Sequence, residues 1–260
     1  MRTVVIGASS GLGRCIGVGL GQRDHNVALL ARRVSRLEDA AKEAGPDAVA
    51  IECDVTDEAS CRSAVAQAAD ALDGIDALIY TPAIGPLSRI EDTDAATWAR
   101  VFETNVTGAA LATAAALPHL KASNGRVLFL SSIIASLTPP WPGLGAYAVS
   151  KAALDKLVQA WRSEHPDLGF TSVVVGDCAG GEGDAMTGFA EGWDGDLAGE
   201  LAPGWFERGY LSGTLFDVEE LVHVVDSLLR SGPSVTIPSI TLAPRAGGPT
   251  PEAILEGVNP

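Results

Sequence analysis

Seven continuous apolar runs, at residues 4–7, 27–31, 48–53, 77–80, 126–130, 171–175 and 235–242, punctuate this 260-residue chain. An apolar run that does not alternate with polar residues reads as a strand covered on both faces. The stretches between the runs suit helices, at about 8–20, 35–43, 57–72, 97–120, 146–162 and 218–229. Strands and helices in alternation build a parallel, doubly wound sheet. The chain is therefore expected to be α/β, with a parallel seven-stranded sheet flanked by helices and no internal boundary over residues 1–260. One stretch breaks the rhythm. Residues 176–213 are rich in glycine and acid, carry Phe189, Trp193, Trp205, Phe206 and Tyr210, and show no clear periodicity. So long an irregular connection suggests a lid or binding loop.

Composition narrows the function. A formal charge of −15 would be repelled by a nucleic acid, so no nucleic-acid partner is expected. The one dense basic spot is Arg32-Arg33 with Arg36. Cys15, Cys53, Cys61 and Cys178 are scattered, with no Cys-x-x-Cys pair and no metal-ligand spacing with the four histidines. That pattern suits free thiols in a reducing cytosol, and no metal site is expected. The apolar run at the N-terminus is too short for a signal peptide, and the alanine-rich stretch 108–117 stops at Pro118-His119, short of a membrane span. A cytoplasmic protein with no membrane partner is expected.

The first strand leads into Gly7-Ala8-Ser9-Ser10-Gly11-Leu12-Gly13, which opens a helix. Glycines there permit a tight turn and bring backbone N–H groups and a helix N-terminus up to a pyrophosphate. Gly17, Gly19 and Gly21 continue the pattern and are expected to allow close helix–sheet packing rather than to bind anything. The end of the second strand reports the cofactor. A site for NAD places an acid there to hold the ribose hydroxyls, whereas this chain has Leu30-Ala31-Arg32-Arg33. Arginine binds a 2′-phosphate through charge-assisted, bidentate hydrogen bonds. Arg32 and Arg33 thus point to NADP(H), with Ser9 and Ser10 adding hydroxyl contacts.

Tyr147-Ala148-Val149-Ser150-Lys151 sets a phenol and an ammonium at i and i+4, on one helix face. A phenol titrating near ~10 is a poor acid or base at neutral pH, and a nearby ammonium is expected to lower that value. Ser131-Ser132 ends the fifth strand, where open α/β sheets present active residues. Asn105 sits inside a helical pattern that asparagine does not favour, and its side chain is expected to widen the turn there and free a backbone carbonyl.

These residues, with the glycine spacing Gly-x-x-x-Gly-x-Gly at 7–13, resemble the short-chain dehydrogenase/reductase family over most of residues 1–175. The resemblance implies a Rossmann-type fold and a set of roles. Tyr147 would be the general acid in reduction and the base in oxidation, and Lys151 would lower its pKa and hold the nicotinamide ribose. Ser132 would hydrogen-bond the substrate oxygen, and Asn105 would hold a water linking Lys151 to solvent. Gly7, Ser9, Ser10, Gly11, Leu12, Gly13, Arg32, Arg33, Asp54, Val55, Tyr147 and Lys151 would line the cofactor. Asp54 accepts from the adenine amino group in that scheme, although a carboxylate after a strand could equally cap the next helix.

Two segments depart from the family pattern. Tyr80-Thr81-Pro82-Ala83 replaces the usual Asn-Asn-Ala-Gly, which bears on cofactor affinity. After the sixth strand a Pro-Gly pair is missing from residues 176–183, and either Gly183 with Thr187 or Asp177-Cys178 takes that place. The pocket is expected between 136–142, which includes Trp141, and a lid at 180–213. That lid holds Glu182, Asp184, Glu191, Asp194, Asp196, Glu200 and Glu207 against Arg208. A neutral or weakly cationic, largely apolar carbonyl or alcohol is the expected substrate. The competing reading is a catalytically weak or inactive NADP-binding regulator of the same fold. A sugar-nucleotide epimerase would need more than the ~85 residues after the sixth strand. The helices at 97–120 and 146–162 have small-residue faces, and the resemblance implies that such helices and the last strand build a homo-oligomer, a tetramer or else a dimer, with Ile254-Leu255 expected to dock across a neighbour.

Overall fold

The apolar runs become strands because helices cover them on both sides. The computed structural model describes residues 1–180, 188–232 and 234–245. Its elements run β1 (Arg2–Ile6), α1 (Gly11–Gly21), β2 (Asn26–Ala31), α2 (Val34–Ala44), β3 (Val49–Glu52), α3 (Glu58–Leu72) and β4 (Ala77–Tyr80). After β4 come α4 (Ala95–Phe102), α5 (Gly108–Ser123), β5 (Arg126–Ser132), α6 (Gly145–Glu164) and β6 (Gly169–Val175). The chain then forms β7 (Cys178–Ala179), α7 (Gly195–Glu207), β8 (Phe216–Asp217), α8 (Val218–Leu229) and β9 (Ser239–Leu242).

Seven strands form one sheet in the order β3-β2-β1-β4-β5-β6-β9, every neighbouring pair parallel. This is the expected Rossmann-type sheet. Two apolar layers flank it. One joins Val4, Ile6, Tyr80 and Phe129 to α3, α5 and α6; the other joins Val5, Leu29, Leu128 and Val173 to α1, α2 and α8. Strand order reverses between β1 and β4, which opens a crevice beyond their C-terminal ends. Gly17 packs on Leu29 of β2, while Gly19 and Gly21 meet Val222 of α8 and Ala44 of α2. The close packing expected of these glycines is therefore helix-to-helix as well as helix-to-sheet.

Aspartates set several helix starts. Asp57, Asp94, Asp194 and Asp217 each accept a backbone N–H in the first turn of α3, α4, α7 and α8, worth about 1 kcal/mol apiece. The helix expected at 97–120 runs from Ala95 to Ser123 with a π-helical turn at Glu103–Thr107. Asn105 lies in that widened turn, as its place in the sequence suggested. The expected irregular stretch 176–213 needs correction, because it contains α7 and its β7 pairs with β8, just past its far end. Gly195, Gly199, Pro203 and Gly204 hide that helix from propensity, whereas burial of Leu201 and Trp205 and the Asp194 cap favour it. Glu182, Gly183, Asp184, Thr187 and Ile254-Leu255 lie outside the described residues.

Candidate active site

The glycine loop turns at Gly7 (φ +86°) and Gly11 (φ +56°), conformations that glycine adopts without penalty. Thr81 explains two of the glycines. Its hydroxyl donates to the Ile6 carbonyl at 2.6 Å, and a Cβ on Gly7 or Gly13 would collide with that same oxygen. The departure at residues 80–83 is thus a buttress under the loop. Tyr80 joins it, with its buried hydroxyl donating to the Thr104 carbonyl in the π turn at 2.5 Å. Sequence reasoning missed both roles; an aromatic and a threonine ending a buried strand were the available signal.

The start of α1 differs from the capped helices. Ser10 is its N-cap but makes no side-chain capping bond, and no acid occupies the first turn. Its N–H groups and dipole suit an anion. Arg33 lies beside it, with Nη2 donating to Ser9 Oγ at 3.2 Å and Ser10 Oγ at 2.5 Å. The charge of Arg32 also acts on Asp54. The Asp54 carboxyl is held below its ordinary range by the Thr56 backbone N–H, with smaller help from the Thr56 hydroxyl and the Arg32 charge, against burial. Asp54 does not cap α3, since Asp57 does so. Uncapped helix, hydroxyls, guanidinium and a nearby carboxylate together form a donor and acceptor set that fits a dinucleotide.

Across the crevice, α6 carries Tyr147 and Lys151 together toward the end of β5. Ser132 hydrogen-bonds the Tyr147 phenol, while Ser131, one residue earlier, faces the opposite side of the strand. Lys151 is buried, donates to the Leu130 carbonyl at 2.6 Å, and lies 5.8 Å from the centre of the Tyr147 ring. Burial lowers its pKa to about 8, opposed by the Asp155 charge. The Tyr147 pKa runs opposite to expectation. Burial pushes it up to about 12, and the Ser132 hydrogen bond offsets only part of that. The cause is visible in the packing: Phe189 covers the ring, with centroids 4.8 Å apart, and the ammonium is tied to Leu130.

Asn105 is fully buried and wholly spent on the protein. Its Oδ1 accepts from Ile84 N at 2.8 Å, and its Nδ2 donates to Ile84 O and to Ser150 Oγ, each at 2.9 Å. Ser150 Oγ in turn donates to the Tyr147 carbonyl at 2.7 Å. The amide therefore fastens the loop after β4 to the helix bearing Tyr147. Ser150 escaped notice in the sequence, although it stands within the Tyr-x-x-x-Lys spacing.

Aromatic side chains roof the site. Trp193 meets Phe189 edge-on at 5.5 Å, Trp205 joins Trp193 and Trp141, and Trp141 stacks on Tyr210 at 6.0 Å. Trp193 Nε1 donates to the Gly85 carbonyl at 2.8 Å, and Trp205 Nε1 to that of Pro142 at 3.0 Å. The acids expected to give this roof its field are partly engaged: Asp194 caps α7, and Glu200 pairs with Arg89 at 2.5 Å. Asp177 accepts from Ser212 and its carboxyl is raised by burial; Cys178 is buried in β7, its thiol pushed up by burial. Among the described residues no helix is long and apolar enough to cross a membrane, and no group of His, Cys, Asp and Glu is placed to hold a metal ion.

Comparison with known proteins agrees with this arrangement. The profile described as short chain dehydrogenase matches residues 2–184. The chain is 33% identical over 179 residues to 11-beta-hydroxysteroid dehydrogenase A of Sesamum indicum, and 34% identical over 179 residues to 11-beta-hydroxysteroid dehydrogenase 1A of Arabidopsis thaliana. Each match covers 66% of this chain and 51% of the relative, so the chain spans about half the length of these curated relatives. A dehydrogenase/reductase structure from Sinorhizobium meliloti 1021 is 28% identical, with a TM-score of 0.76 over 92% of each chain. An alcohol dehydrogenase from the archaeon Thermococcus sibiricus, complexed with 5-hydroxy-NADP, shares the fold at 23% identity, with a TM-score of 0.77 over 92% of this chain and 94% of that one. A glycine loop at the head of α1, a Tyr–Lys pair at the end of β5, and a family match across both mean that this chain belongs to the short chain dehydrogenases.

Proposed function

We propose that the protein is an NADP(H)-dependent oxidoreductase that interconverts the carbonyl and alcohol forms of a neutral, largely apolar small molecule. The observation that carries this is the meeting of Tyr147, Ser132 and Lys151 at the end of β5, across the crevice from the glycine loop. Gly7, Ser9, Ser10, Gly11, Leu12 and Gly13 would hold the pyrophosphate and Asp54-Val55 the adenine. Arg33, with Arg32 beside it, would hold the 2′-phosphate; a carboxylate in their place would repel it. The bound nicotinamide would supply or accept the hydride.

The protein's own groups then do the rest. Tyr147, with its pKa near 12, is fully protonated at neutral pH and ready to donate to a substrate oxygen. Ser132 holds that oxygen beside the phenol. Lys151, at about 8, keeps a positive charge under the site at neutral pH, which favours a developing alkoxide. Asn105 positions the helix through Ile84 and Ser150, so a water connecting Lys151 to solvent would be held by its main chain rather than its spent amide.

The apolar substrate class rests on the aromatic roof, since Trp141, Phe189 and Trp193 leave a carboxylate without a partner. The names of the Sesamum and Arabidopsis relatives point the same way. Turnover of NADPH with neutral ketones and aldehydes, against matched keto acids, tests the proposal. Preference for the acids contradicts the substrate class, and no turnover with any carbonyl favours the regulator. As one Rossmann-type unit, the chain would act in the cytoplasm as a homo-oligomer built on α5 and α6, a tetramer or else a dimer, which light scattering would check.

A further inference from the structure

The ring of Phe189 lies on that of Tyr147 with centroids 4.8 Å apart and planes tilted by 56°, and meets Trp193 edge-on at 76°. Its tip reaches Gly85, where an added Cβ would run into the Phe189 ring. Three walls thus enclose a flat slot: the Gly85 backbone, the Tyr147 ring and the Trp193 ring. Two of them are fixed. Tyr147 is set in α6, and Trp193 is held by its bond to Gly85 O and by the Asp194 cap that follows it.

The occupant is fixed less firmly. Phe189 sits in a turn between Gly188 (φ +70°) and Gly192 (φ +81°), and a Cβ on either glycine would meet nothing within 4 Å. Positive-φ glycines in open space absorb backbone rotation at little cost. A substrate oxygen must reach the Tyr147 phenol and Ser132, and Phe189 lies over that phenol's ring.

We propose that this slot is a subsite for the planar aromatic ring of an aryl ketone or aryl carbinol, and that Phe189 fills it until such a ring displaces it. The inference rests on the reading of Tyr147 as the proton donor. A flat ring reproduces the tilted and edge-on contacts that Phe189 makes, each aromatic pair contributing roughly 2- to 10-fold in affinity. A saturated ring of the same carbon count is thicker and presents no π face, and the Gly85 backbone leaves no slack for it. Because Phe189 competes for the slot, apparent substrate affinity falls to the intrinsic value times the fraction of time Phe189 leaves it vacant.

The experiment uses the full chain saturated with NADP+, which cannot reduce a ketone, and measures binding of acetophenone and of its saturated twin, cyclohexyl methyl ketone, by calorimetry. kcat/KM with NADPH is measured in parallel. In the wild-type protein acetophenone should bind and turn over at least 10-fold better than its twin. Phe189→Ala should tighten acetophenone at least 3-fold and keep the preference. Gly85→Ala should weaken acetophenone 10-fold or more, with NADP+ binding and thermal melting showing that it folds. Equal binding of the two ketones by the wild type, or no tightening in Phe189→Ala, overturns the subsite. The expected binding pattern without any reduction would leave the subsite standing and overturn the proposed activity instead.

Discussion

The Nζ of Lys151 donates to the Leu130 carbonyl at 2.6 Å while lying 5.8 Å from the centre of the Tyr147 ring. Its ammonium is thus buried with one strand carbonyl as acceptor, and burial lowers its pKa from 10.5 to about 8 against the Asp155 charge. The sign follows from linkage. Below about pH 8 the ammonium is charged in both folded and unfolded chains, and the folded chain carries the full penalty. Between about 8 and 10.5 the folded chain sheds the proton first, so stability rises with pH.

A matched pair isolates this effect. Relative to Lys151→Met, the unfolding free energy of the wild-type protein should rise by about 2 kcal/mol between about pH 7 and 9.5. Urea melts of both proteins across that range measure it. A constant difference between them would show that Lys151 is not desolvated as described.

Arg33 reaches Ser9 and Ser10 at the head of α1, where a 2′-phosphate would lie under the proposed scheme. Charge-assisted hydrogen bonds contribute about 1.5–3 kcal/mol. Arg33→Ser should therefore raise the Kd for NADPH by roughly 10- to 100-fold and leave that for NADH almost unchanged. Fluorescence titration of the two nucleotides gives both numbers; equal losses would assign Arg33 to the loop's structure and not to phosphate selection.

Asn105 satisfies Ile84 N, Ile84 O and Ser150 Oγ at once. Asn105→Leu fills a similar volume and leaves buried polar groups unpaired, at about 1–3 kcal/mol each. The variant should lose about 2–5 kcal/mol of stability, with the loop at 82–85 losing hydrogen-exchange protection first. Uniform loss of protection across α5 and β5 would contradict its role as a local fastener.

Much of this arrangement was legible in the sequence, for physical reasons. Short apolar runs without alternation, spaced between helical stretches, fit strands covered on both faces, so the sheet and its helices were readable from runs such as 27–31 and 77–80. Tyr147, Lys151 and Asn105 were readable because each is costly or out of place where it stands. Features that depend on distant partners were not. Thr81 under Gly7 and Gly13 joins three separate segments, and α7 owes its helix to packing and a cap that outweigh its glycines and proline. The shift of the Tyr147 phenol was misread because spacing reveals its neighbour in the helix but not Phe189, 42 residues further along, which keeps it dry.

The most direct test follows a label. NADPH carrying deuterium at the transferred position of the nicotinamide should yield an alcohol with one deuterium at the carbinol carbon from a neutral ketone. Tyr147→Phe should still bind NADPH, at most a few-fold more weakly, yet form that product some 10²- to 10⁴-fold more slowly. A wild-type protein that binds NADPH tightly and transfers no label to any carbonyl, or a Tyr147→Phe variant that transfers it at the wild-type rate, would contradict the account.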